Sequence, residues 1–177
     1  MTRPESSEFI PYYSTYIGLI PDGEIIQILN EQINDSISLL KDISDNQGLF
    51  RYAPKKWSIK EVLGHMADTE RIMAYRLLCF ARGEKESLPG FDENSYVLNA
   101  SFDNQTIEDL VDNFLAVRKS TVHLLKSLNS NSWSQRGTAN GGEVTVRAIA
   151  YIIAGHELHH RHIIKERYLK ADSFPTE

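Results

Sequence analysis

Four stretches of this chain repeat apolar side chains every three or four residues, a period that commits most of the sequence to amphipathic helix. In the first, from about Asp22, the series is Ile25, Ile26, Leu29, Ile33, Ile37, Leu40 and Ile43. The second starts sharply: Ser58-Ile59-Lys60-Glu61 reads as a capping box, with Trp57 before the cap able to staple onto Val62, and Gly83 ends the helix after Arg82. The third runs from about Thr106 to Leu128 with Ile107, Leu110, Val111, Phe114, Val117, Val122 and Leu125 on its buried side. The fourth starts near Val144-Thr145 and reaches about Leu169. No strand pair with alternating pattern is expected, so the chain should be all-α, a four-helix bundle over residues 23–170.

Outside the bundle, residues 1–22 hold Pro4, Pro11 and Pro21 with Tyr12, Tyr13 and Tyr16, and read as an extended arm packed on the body. Residues 171–177 form a tail. The connections 83–105 and 129–143 exceed what a minimal bundle needs, and loops that long are often functional.

At 177 residues the chain can bury a real core without disulfides, and its single cysteine, Cys79 in an apolar stretch, reads as an inert buried thiol. A net charge of −5 with dispersed Lys and Arg argues against nucleic acid as a partner. Met1 to Glu8 lack a signal-peptide pattern and no stretch approaches the length of a membrane span, so a cytoplasmic protein without membrane contact is expected.

Chemistry concentrates in Gly155-His156-Glu157-Leu158-His159-His160-Arg161-His162. His156 and His160 stand four apart, so their rings project from one helical face, continuing the stripe of Ile149, Ile152, Ile153, Ile163 and Ile164. His65 occupies the inward side of the second helix. One core histidine is easily satisfied, but three on inward faces need partners for their ring nitrogens, and a divalent ion supplies them together. Three imidazoles leave further coordination positions open, as catalytic sites do. His159 lies about 100° around the helix from His160 and should face solvent or a partner chain. His123 and His162 are taken as ordinary polar residues.

The same residues satisfy H-E-x-x-H, the zinc-protease signature with Glu157 as the base. The extended protease form needs glycine and histidine where Ile163 and Glu166 stand, and no sheet is expected to hold a peptide. Glu157 is therefore assigned as a bystander or as a group supporting the site.

Three segments together resemble the DinB/YfiT-like superfamily of metalloenzymes: Trp57-Ser58-Ile59-Lys60-Glu61-Val62-Leu63-Gly64-His65-Met66-Ala67-Asp68-Thr69-Glu70-Arg71, Pro89-Gly90-Phe91-Asp92-Glu93, and Ile153-Ala154-Gly155-His156-Glu157-Leu158-His159-His160. The resemblance implies a four-helix bundle in a mirror variant of up-and-down topology. It implies one divalent ion, nickel or zinc, on His65, His156 and His160, and a homodimer. It also implies a small-molecule substrate, with low-molecular-weight thiols as cosubstrates in characterised transferases and a thiol-dependent isomerase, and no role for DNA.

Such an ion lowers the pKa of a thiol or a water, which suits a thiol S-transferase. Arg71 and Arg76 could bind a carboxylate of the thiol and Asp68 could orient a ligand or take a proton, against the plainer reading of surface ion pairs. Asp92 and Tyr96 could close over the site from the long loop. The rivals are a metal-dependent hydrolase and a non-catalytic stress or interaction protein stabilised by its metal.

Overall fold

A computed structural model describes residues 2–176. Among them are seven helices: α1 (Ser14–Gly18), α2 (Ile25–Leu40), α3 (Asp45–Gly48), α4 (Ile59–Ala81), α5 (Glu93–Ala100), α6 (Ile107–Lys126) and α7 (Val146–Ile163), the last continued by a π-helical turn, Ile164–Tyr168. The four long ones, α2, α4, α6 and α7, form the bundle. Side-chain caps define three of their starts. Ser58 accepts from the Glu61 amide while the Glu61 carboxylate takes the Ser58 amide, and Thr106 and Thr145 cap α6 and α7.

The direction of each helix follows from the core, which divides into two apolar clusters. One holds Leu29, Leu77, Leu125 and Ile149; the other holds Leu40, Leu63, Leu110 and Ile164. Helices α2 and α7 run from the first cluster to the second, whereas α4 and α6 run the opposite way. The order is therefore up-down-down-up, and this variant of the bundle sets α4 parallel to α6. Helix α4 packs against α6 and α7, and α2 packs against the same two, so α2 and α4 lie diagonally. Because α4 and α6 are parallel, the chain must return along a 23-residue helix, about 34 Å, before α6 begins. The long connection with α5 and a turn at Phe102–Asn104 makes that return.

The second long connection departs from expectation. It contains an antiparallel hairpin, β1 (Arg136–Ala139) with β2 (Gly142–Thr145), joined by Asn140-Gly141. Both turn residues have positive φ, 51° and 74°, as a two-residue primed turn requires, and Asn-Gly is the pair best suited to it. Short, weakly alternating flanks hid the strands. The arm, expected as extended, is broken into helical turns at Ser6–Glu8 and Pro11–Tyr13 followed by α1, which packs on α7. Glu8 fastens it there, accepting from Thr145 at 2.8 Å and from the Arg147 guanidinium. No helix of the described residues is long and apolar enough to cross a membrane.

Candidate metal centre

Buried polar side chains lie at or within one turn of the boundary between the two apolar clusters on every bundle helix: Gln32 and Ser36 on α2, His65, Thr69 and Glu70 on α4, Arg118 on α6, and His156, Glu157 and His160 on α7. The antiparallel packing of α4 on α7 brings the three histidines of this layer together. His65 Nε2 and His156 Nε2 lie 3.1 Å apart, as do His160 Nε2 and His156 Nε2, and one nitrogen from each ring falls within 4.8 Å of the others.

This spacing fits a metal ion. Ligand bonds of about 2.0–2.1 Å place neighbouring nitrogens about 2.8–3.0 Å apart in octahedral and about 3.3–3.4 Å apart in tetrahedral geometry, and 3.1 Å lies between the two. Neutral imidazoles carry one N–H each, so three Nε2 atoms facing one another cannot all be satisfied by mutual hydrogen bonds. The Nδ1 of His160 is buried without a hydrogen-bond partner among the described residues, while His65 Nδ1 has Thr69 Oγ1 at 3.4 Å. Burial disfavours the charged ring in all three. It pushes His65 down to about 4, aided by His159, and holds His156 and His160 well below their ordinary value. The rings are thus neutral at physiological pH, the form that ligates metal.

Beneath the histidines, Glu157 takes an ion pair from Arg118 at 2.6 Å, a hydrogen bond from Ser36 at 2.6 Å, and another from Gln32. Arg118 also grips Glu70 through Nε and Nη2 at 2.9 and 2.7 Å. Burial opposes the charge on Arg118, and the two carboxylates outweigh it and hold the guanidinium protonated. This network occupies the Glu157 carboxylate and holds it in the interior. Sequence inspection does not reveal Gln32, Glu70 or Arg118, because isolated polar or charged residues on a helix read as its solvated face.

A cavity of about 340 Å³ opens onto the histidines. Tyr12, Tyr13 and Tyr16 of the arm form one wall, and Tyr16 meets His156 and His159 edge-on with ring centroids 5.7 and 5.3 Å away. His159 therefore lines the cavity instead of facing solvent; its position off the ligand stripe is correct, but the arm closes over it. Trp57 covers His65 at 4.7 Å between centroids. A second cavity of about 240 Å³, bordered by Tyr52, Lys55 and Lys56, shares Trp57 and His160 with the first.

The other anticipated residues divide. Arg76 is buried and lines the main cavity. Asp68 and Arg71 pair with each other at 3.2 Å outside it, and Arg71 also reaches Asn113. Asp92 caps α5 by accepting from the Ser95 amide at 2.9 Å. Tyr96 is exposed and touches Phe91, which borders the cavity in its place. His123 and His162 are exposed.

A profile of the DinB superfamily matches residues 28–164, the whole span from α2 through the histidines. The chain belongs to this superfamily. Among solved structures, YfiT from Bacillus subtilis, described as a probable metal-dependent hydrolase with an unusual four-helix bundle topology, is similar at a TM-score of 0.73. The match covers 93% of this chain and 90% of that one at 16% identity, a likeness of fold. No curated protein matches.

Proposed function

We propose that this chain is a metal-dependent enzyme that holds one divalent ion, nickel or zinc, on His65, His156 and His160 and transfers a group with a low-molecular-weight thiol. The observation that carries the metal reading is the convergence of three neutral, buried imidazoles with Nε2 contacts of 3.1 Å. A bound divalent ion supplies Lewis acidity, turning a thiol or water into a nucleophile at neutral pH. The protein's own side chains do the rest. Thr69 and Trp57 hold the His65 ring in place, the arm's tyrosines wall the cavity against water, and Arg76 presents a cation to whatever enters.

Two cavities meeting at Trp57 and His160 favour transfer, which needs room for two organic reactants. A hydrolase is the second reading, supported by the description of the structurally similar YfiT; it needs one cavity and water.

The test begins with metal content. Purified protein saturated with nickel or zinc should retain about one ion per chain, and His65→Ala and His160→Ala should each weaken binding on the order of 100-fold or more. Cysteine, glutathione and other small thiols are then incubated with a chloroaromatic electrophile. Thiol consumption above the His65→Ala background supports transfer. Turnover of an ester panel without thiol consumption favours the hydrolase, and a wild-type protein without metal removes the basis of both.

A further inference from the structure

The two most buried arginines differ in one respect. Arg118, 1% exposed, is neutralised by Glu70 and Glu157. Arg76, 3% exposed, has no carboxylate within ion-pair range among the described residues. Its guanidinium donates to the Pro89 carbonyl at 2.7 Å, approaches Met73 Sδ at 3.7 Å and stacks over Phe91 at 5.9 Å. An arginine does not discharge by losing its proton, so a buried one without a counter-charge is costly unless an anion arrives from outside.

An anion has a path to it. Arg76 lines the same cavity as the histidines, together with Tyr13 and Asn140, whose hydroxyl and amide are further donors. The hairpin steadies the Pro89 end of that wall, since the Leu88 amide donates to Thr138 at 2.9 Å and the Asn140 amide donates to Leu88 at 3.0 Å. The acidic residue in the lining, Glu93, is exposed; it acts electrostatically on Tyr16, whereas the neighbour that acts on Arg76 is Tyr13. The histidines are neutral and do not compete for an anion.

We propose that the main cavity takes an elongated substrate bearing a carboxylate, anchored by Arg76 at one end while its reacting group lies at the three histidines. His65 and Arg76 are eleven residues apart, three turns plus about 20°, so Thr69 and Met73 pave one face between them. The helical rise sets the backbones of the two ends about 16–17 Å apart. The proposal rests on the reading of this cavity as the substrate site, and its test needs no metal.

The probes are 6-phenylhexanoate and its uncharged amide, titrated calorimetrically into metal-free protein at pH 8. The carboxylate should bind about tenfold or more tighter than the amide, because a charge-assisted hydrogen bond distinguishes them. Arg76→Gln should erase the difference and Arg76→Lys should keep part of it. Equal affinities in the wild type, a preference that survives Arg76→Gln, or no binding of either probe overturns the proposal. Should Arg76→Gln fail to fold, the Arg76 Nε–H resonance of the wild type decides. It must shift with the carboxylate and stay still with the amide; any other pattern counts against the anchor. Loss of carboxylate preference with intact metal content would sink this inference alone, whereas absent metal with the preference retained would sink the metal reading alone.

Discussion

Each imidazole of the centre must remain uncharged in the folded state, and stability therefore depends on pH. For His65 the folded ring protonates only near 4, against an ordinary value of 6.5. As pH falls, the unfolded chain takes up the proton first, so acid favours unfolding. Metal-free protein should keep its full stability above 6.5 and lose about 1.4 kcal/mol per pH unit through His65 between 6.5 and about 4. Urea midpoints at pH 7.5, 6.0 and 5.0 measure the decline; a flat series would contradict neutral, buried rings. Arg118 is a second pressure point. Arg118→Met strands the Glu70 and Glu157 carboxylates in the interior and should cost about 3–5 kcal/mol in the same assay. The two sites also differ in how legible they are. His65, His156 and His160 can be found from sequence because helical spacing alone sets them on inward stripes. Gln32, Glu70 and Arg118 cannot, since only the packing of α2 and α4 between α6 and α7 shows that these polar groups point at one another. His159 fails for a related cause: the angle around α7 is right, and a different segment, the arm, covers it.

At the scale of elements, the long helices are the readable ones, α2 even without a side-chain cap, whereas α3 and α5 are too short to read although Ser44 and Asp92 cap them. Ser58, Thr106 and Thr145 mark starts that the structure keeps, and the stripes between them remain buried. The β1–β2 hairpin and the turns of the arm are too short for a repeating pattern to show in the sequence, where Asn140-Gly141 is the available sign. The arm matters most for the site, since it brings Tyr16 to His156 and His159. Its approach depends on Gly155, where a Cβ would stand 2.2 Å from the Tyr16 carbonyl oxygen. Backbone cannot yield as a flexible side chain can, so Gly155→Ala should push α1 off α7 at a cost of about 1–3 kcal/mol. Hydrogen exchange locates the effect. Amides of residues 14–18 should exchange faster while those of α4 and α6 keep their protection. Loss of protection throughout the bundle would show instead that the arm and the core fold as one unit.

Across the whole molecule, the up-down-down-up order explains why a centre sits here at all. It sets α4 antiparallel to α7, so one turn of each faces the other at mid-bundle, between the two apolar clusters. The layer they share holds two carboxylates and one guanidinium around neutral imidazoles, an excess of one negative charge in the interior (two minus one). A divalent cation beside that layer offsets the excess and ties α4 to α7 through side chains that otherwise oppose their lone pairs. Binding to the folded form alone therefore raises stability by mass action: at a free metal concentration of 100 Kd the gain is about 2.7 kcal/mol. For a chain of 177 residues that corresponds to a rise in Tm of about 5–10 °C. Thermal scans of protein freed of metal and then supplied with zinc or nickel should show this rise, chelator should reverse it, and His160→Ala should flatten it. Because Arg76 lies outside the ligand set, Arg76→Gln should respond to metal as the wild type does. A wild-type Tm indifferent to both metals would leave the facing imidazoles without their explanation.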